Sequence, residues 1–310
     1  MSATAVSKPP SKRQVETDLC RYDHARMEPS QGLMPGLYTP LPSGPRSNRL
    51  VTYRYDSGVV VEHRCYEAFG ADDLRLHLAI LAMRGGKCRQ LTTEPGTETG
   101  SFLRSALQLR GEAAEQDTVT VRCSYHELAG VIGLSSGGGG GGNTWRLLHR
   151  GLARGAADLI TLLRERPQTK RYDAISAGTA MSFCMEAATG LIAVALHPLL
   201  AHALLDPEAP YRRIDLREMR ALGSDVACIL HTYLSAWLRP GESQVVGVDT
   251  LAGHVYGGPG SYPGEVRCRR FQIRQALESI DSLSNWKIGP APDAKSGGQQ
   301  VQITRRRQTK

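Results

Sequence analysis

The sequence has no apolar run long enough to cross a bilayer. The longest, Leu191–Leu205, is broken by His197-Pro198 and is shorter than the roughly 20 residues that a spanning helix needs. Met1–Gln14 contains no apolar core of the secretory type. The seven cysteines, at positions 20, 65, 88, 123, 184, 228 and 268, are odd in number and include no Cys-x-x-Cys pair. That argues against a disulfide framework and against a zinc site, so reduced thiols in a cytoplasm are expected. Catalytic signatures are missing as well. The glycine run 137–142 leads into Asn143-Thr144-Trp145 rather than Gly-Lys-Ser/Thr, so it is no phosphate loop. No two of the nine histidines stand at i, i+2, which removes the His-x-His motif of metal-dependent nicking enzymes. The one Gly-x-Ser-x-Gly match, Gly133–Gly137, follows a short helix rather than the strand that a nucleophile elbow needs. We therefore expect no enzyme, no cofactor and no metal.

Positive charge is in excess: 38 Lys and Arg face 30 Asp and Glu, a net charge of +8. This favours an anionic partner, nucleic acid first. With 310 residues, 41% of them hydrophobic, the chain can bury about two ordinary domains. Residues 1–48 are rich in Pro, Ser, Lys and Arg and read as a disordered arm. Asp206-Pro-Glu-Ala-Pro210 marks a boundary between 49–205 and 206–310. Arg49–Tyr55 and Val59–His63 flank Asp56-Ser57-Gly58 as a hairpin. Asp72–Met83 reads as a helix, with Leu74, Leu78 and Leu81 on one face. Met181–Ala187 and Leu191–Leu196 read as paired strands, and Ser224 caps a helix that runs to Leu238.

One unit occurs twice. Leu128-Ala129-Gly130 and Leu251-Ala252-Gly253 each lie on a short helix, the first boxed by Ser124 and Glu127, the second capped by Asp249. Each short helix meets a glycine-rich turn, Ser135–Gly142 or Gly257–Gly264, and then a longer helix bearing arginines. On the first long helix, Trp145, Leu148, Leu152 and Leu159 form an apolar stripe, and Arg146, Arg150 and Arg154 a basic one. On the second, Val266, Ile273, Leu277 and Ile280 face inward beside Arg267, Arg270 and Arg274, with Arg269 on the flank. This is helix-turn-helix geometry, whose second helix fits a major groove. Arginine there reads guanine or neutralises phosphate; the bland alternative is a solvated helix face. The β-rich stretches that follow suit wings: Arg164, Arg166, Lys170 and Arg171 after the first helix, Trp286–Ile288 paired with Val301–Thr304 after the second. The fold class expected is α+β, two tandem winged-helix domains behind a disordered arm. The candidate DNA-binding residues are Asn143, Thr144, Arg146, His149, Arg150, Arg154, Arg267, Arg269, Arg270, Arg274, Arg305 and Arg306. His254 also lies on one of these units, where it would touch phosphate or solvent. His197 beside Pro198 reads as a helix start.

In several stretches the sequence resembles a known family. These are Tyr53–Asp56, Gly70–Arg75 through Ala82-Met83, Val194–Leu199, Arg213-Ile214, Arg220–Leu222, Leu230-His231, Asp249–Leu251, Arg269-Arg270 and Arg274–Leu277. They resemble, in order and spacing, the replication protein C family of IncQ-type broad-host-range plasmids. The resemblance covers residues 50–285 and departs from the family in the long arm, the glycine run and the end after Ile288. It implies a two-winged-helix initiator that binds directly repeated duplex sites (iterons) at a plasmid origin, bends the DNA and promotes melting. It further implies a plasmid-encoded hexameric replicative helicase as partner and a homodimer formed through the N-terminal winged helix. A winged-helix transcription regulator with the same modules is the alternative.

Overall fold

The computed structural model describes residues 22–42, 44–83, 87–134, 141–166, 168–169, 171–186, 189–292 and 299–307. Most of the first glycine-rich turn, Lys170, the tip of the second wing and the final three residues lie outside them.

The chain opens with strand β1 (His24–Met27) and the short helix α1 (Pro29–Leu33). The hairpin β2 (Arg49–Arg54) and β3 (Val59–Cys65) follows, then helix α2 (Ala71–Ala82) and strand β4 (Cys88–Leu91). Next come helix α3 (Glu98–Ala106), the two-residue strand β5 (Arg110–Gly111) and strand β6 (Thr118–Cys123). The first repeated unit supplies helices α4 (Tyr125–Val131) and α5 (Gly141–Ala157) and the hairpin β7 (Leu159–Arg166) and β8 (Arg171–Thr179). Strands β9 (Met181–Met185) and β10 (Ile192–Leu196) and helix α6 (Pro198–Leu205) close the first half. The second half runs through β11 (Arg212–Asp215), α7 (Leu216–Ala221), α8 (Asp225–Trp237), β12 (Ser243–Gly247), α9 (Val248–Tyr256), α10 (Pro263–Asp281), β13 (Trp286–Pro290) and β14 (Gln300–Arg305).

The second unit is a complete winged helix. Strands β12, β14 and β13 form one antiparallel sheet in that order, with Trp286 opposite Arg305 and Val246 opposite Val301. The first unit is larger. Its wing hairpin β7–β8 is continued by the β2–β3 hairpin, so five strands lie in the order β2-β3-β7-β8-β5. A four-stranded sheet, β4-β6-β10-β9, backs the helices. Each unit leans on a scaffold helix: α4 and α5 pack on α2, and α9 and α10 pack on α8. In helix α2, Leu74, Leu76, Leu78 and Ile80 are fully buried, so apolar side chains pack on more than one side of it. It packs on α5 on one side and on α8 on another. Across the α2–α8 contact, Arg75 donates to Asp225 at 3.4 Å and to the Cys228 sulfur at 3.0 Å.

The expected boundary at 206–210 is a surface turn, and buried apolar residues on both sides of it belong to one continuous core, from Ala25 to Ile303. The expected arm also turns out differently from residue 22 onward. Ala25 and Met27 alternate inward, and β1 pairs with β11, His24 opposite Asp215 and Met27 opposite Arg212. The prolines that suggested disorder serve here as punctuation. Pro29 begins α1, whose capping Glu28 carboxylate accepts from Ser30 N at 2.8 Å. Helix α1 lies on α8, where Gly32 faces Ala236 so closely that a Cβ would come within 2.6 Å of the Ala236 Cβ. The chain then threads past α9. Gly36, at φ +76°, lies against the backbone of Gly257, and its N–H donates to His254 O at 3.0 Å. Beyond that point Thr39 N donates to Phe69 O at 3.0 Å, in the first half. Residues 22–42 and 44–48 thus form a strap that binds both units. Residues 1–21 lie outside the described residues.

Several histidines are enclosed by this packing. Burial pushes the imidazole of His77 down to about 4, that of His197 to about 3 and that of His254 to about 4, from an ordinary 6.5. They stay neutral in the fold, while the unfolded chain takes up protons near 6.5. Between these values the unfolded state binds more protons, so stability falls with falling pH. Urea unfolding followed from pH 7 to pH 5 is expected to show a steady loss of stability below about 6.5. A flat profile would contradict the enclosure of these rings.

Candidate nucleic-acid interface

In the first unit α4 starts as its sequence indicates. The Ser124 hydroxyl accepts from Glu127 N at 3.1 Å, and the Glu127 carboxylate accepts from Ser124 N at 2.9 Å. Leu148 and Leu152 of α5 are fully buried. Gly151 allows the helix to approach α2, since a Cβ there would come within 2.6 Å of Leu76. The opposite side of α5 presents Asn143, Arg146 and Arg150 to solvent, with Thr144 half-buried. Asn143, Arg146 and Arg150 line one wall of an open groove of about 870 Å³; Gly44, Pro45, Tyr66 and Glu67 stand on the other.

Two expected members of this face are engaged elsewhere. Arg154 has only 10% of its side chain exposed, and its Nε and Nη2 donate to Asp73 Oδ1 at 2.9 and 2.6 Å. It holds α5 to α2. His149 stacks on Trp145 with ring centres 5.0 Å apart and shares a hydrogen bond with the Tyr125 hydroxyl at 3.0 Å. Leu159, placed on the α5 stripe by the sequence, belongs to β7 instead, because the helix ends at Ala157.

In the second unit Gly257, in the left-handed region at φ +75°, ends α9. The residue that caps the start of α9 is Gly247, just upstream of the expected Asp249. Asp249 does other work: its carboxylate accepts from Arg270 Nε at 2.6 Å and Nη2 at 2.7 Å. This two-point bond joins α9 to α10 and holds the Asp249 carboxyl below its ordinary range. Arg269 donates to Gly258 O at 2.9 Å, pairs with Glu265, and lies 4.6 Å from the Tyr256 ring centre. Arg267 and Arg274 are exposed, and no hydrogen bond or ion pair occupies either among the described residues. His254, expected near phosphate or solvent, is largely enclosed and stacks on Tyr233 at 3.6 Å.

The wings divide similarly. Arg305 is directed inward: its Nη1 donates to Ser235 O at 2.7 Å and Leu238 O at 2.8 Å, and its guanidinium lies over Trp286. Burial lowers its pKa. Arg306 and Lys287 are exposed, although Arg306 donates to Ser284 O at 3.3 Å. At the first wing Arg166 pairs with Asp173, and Arg171 is exposed. Among the described residues no group of three or more His, Cys, Asp and Glu side chains is arranged to hold a metal ion, and no helix is long and apolar enough to cross a membrane. Of the twelve candidates, Arg146, Arg150, Arg267 and Arg274 are exposed cations without an internal partner among the described residues. Sequence spacing could not separate them from Arg154 and Arg305, because their acceptors lie 81 and about 70 residues away along the chain.

Two helix-turn-helix units, each followed by a β-hairpin and packed through their scaffold helices, define a tandem winged-helix protein. The family model for replication protein C (RepC) matches residues 19–297, and the chain belongs to that family of replication initiators. Domains 2 and 3 of RctB superpose on 91% of this chain and 99% of their own, with a TM-score of 0.50 at 8% identity. A second structure of the RctB domains 2–3 gives 0.49 at 10% identity over 86% of this chain and 94% of that one. The Pi initiator protein in complex with iteron DNA gives 0.44 at 12% identity over 75% and 89%. No curated protein matches the sequence.

The ion pairs separate structural from surface arginines. Replacing Arg154 with Ala leaves the buried Asp73 short of a partner, and we expect a loss on the order of 3 kcal/mol in chemical unfolding. Arg146→Ala and Arg150→Ala are expected to stay within about 0.5 kcal/mol of the parent. Equal losses for all three would refute this division.

Proposed function

We propose that the chain is a plasmid replication initiator that binds repeated duplex sites at an origin through both winged helices. Family membership and the winged-helix architecture support this reading. The observation that carries it is the same in each unit: the outward face of the long helix keeps two guanidinium groups without internal partners, Arg146 and Arg150 on α5 and Arg267 and Arg274 on α10. In this reading α10 supplies most of the base readout. The α5 pair, with Asn143 and Thr144, positions the first unit. His149 holds the Trp145 edge of that surface, and Arg269 and Arg270 brace α10 rather than read. Arg171, Lys287 and Arg306 meet the backbone. Two helices seated in successive turns give a footprint of about 20 bp.

The finer steps belong to this proposal too. Bending the duplex would bring both units onto one face, and the strained DNA beside the repeats would melt and admit a plasmid-encoded replicative helicase. A homodimer through the first unit would regulate access to the site. The protein acts by binding, not by bond chemistry, in the cytoplasm of its bacterial host.

The test is a binding series on a duplex carrying the repeated origin sites. Arg267→Ala and Arg274→Ala are each expected to cost about 1–3 kcal/mol of specific affinity where the parent side chain bonds a guanine, and to relax preference at one base pair. Arg146→Ala and Arg150→Ala are expected to weaken all sequences alike and to flatten the salt dependence. Unchanged origin affinity in the Arg267/Arg274 double variant would overturn the assignment.

A further inference from the structure

The outward face of α10 carries one side chain that charge does not account for. Phe271 is 58% exposed. It lies four residues after Arg267 and three before Arg274, so the three share one stripe, and both arginines are exposed. The apolar residues that attach the helix are on its other side, where Ile273, Ala276, Leu277 and Ile280 are buried. Phe271 is therefore not a displaced core residue, and its ring enters no aromatic or cation–π contact among the described residues. A single exposed apolar side chain is ordinary on a protein surface. This one occupies the middle of the stripe whose ends are two unpaired guanidinium groups.

The chemistry of the major groove narrows what such a ring can meet. Guanine, adenine and cytosine present hydrogen-bonding groups there, which phenylalanine cannot satisfy. Thymine adds one apolar feature, its C5-methyl group. The flanking arginines require a polyanion, which sets a duplex apart from an apolar protein surface. We propose that Phe271 is a specificity-determining residue that reads a thymine methyl in the bound site, between the groups met by Arg267 and Arg274. The assignment rests on the reading of α10 as the helix that enters the groove. It adds a base identity that arginines alone do not supply.

The experiment starts from duplexes enriched by the full chain from a random-sequence pool. Each thymine of the preferred duplex is then replaced singly by deoxyuridine, which removes only the methyl group. For the parent protein we expect one thymine at which deoxyuridine weakens binding about fourfold, the loss of one buried methyl group at roughly 0.8 kcal/mol. Phe271→Ala is expected to bind the thymine and deoxyuridine duplexes equally, and Phe271→Leu to keep the preference. Circular dichroism and thermal unfolding verify that both variants fold, as their exposed position leads us to expect. If no duplex is enriched, the groove reading of α10 fails and this assignment falls with it. If a duplex is enriched but no deoxyuridine substitution changes parental affinity, the assignment alone is overturned. It is also overturned if Phe271→Ala keeps the parental ratio, or weakens every duplex equally. The last outcome would mark the ring as a general contact.

Discussion

Asp73 has no exposed surface, and a carboxylate so placed is tolerated only where donors surround it. Here they come from three parts of the chain. Gly70 N donates to Oδ2 at 2.8 Å at the start of α2, Arg46 reaches the same oxygen from the strap, and Arg154 grips Oδ1 from α5. One charge thereby joins the strap, the first scaffold helix and the first basic helix. Arg75, one residue beyond Leu74, extends the junction to α8 and so to the second unit. The orientation of α5, and with it the outward direction of Arg146 and Arg150, follows from this junction.

The strap provides the same coupling from the other side. It pairs with β11, lies along α8, touches the end of α9 at Gly36 and returns to the first half at Phe69. Arg220 of α7 adds a further tie, donating to Val131 O at the end of α4 and to Asp23. Two winged helices held through a shared core have a relative placement that is largely set before DNA arrives. Such preorganisation reduces the ordering cost of seating both on one duplex. Neighbouring arginines of α10 also differ in their engagement. Arg270 and Arg269 fasten α10 to α9, while Arg267 and Arg274 remain available.

Local rules were legible in the sequence wherever the determining groups are near in the chain. The Ser124–Glu127 box, the Ser224 cap, the Asp56-Ser57-Gly58 hairpin, the pairing of β9 with β10 and the second wing all rest on contacts that short patterns encode. Readings that turned on distant partners were not legible. The strap was hidden because proline and charge in this stretch resemble a disordered segment, whereas the surfaces that order it belong to residues 69–82 and 212–257. Asp249 had the right chemistry for a cap, and only the fold shows Arg270 within reach of it. Helical spacing placed several arginines of each unit near a surface. Which of them stay free depended on acceptors that no periodicity reveals.

The central claim is that both units, held as one body, engage a single duplex. Hydroxyl-radical footprinting of the full chain on its preferred duplex tests this most directly. The account predicts two protected windows on the same face of the DNA, one helical turn apart, spanning about 20 bp together. A single window of about half that length, unchanged when Arg146 and Arg150 are replaced by alanine, would contradict it.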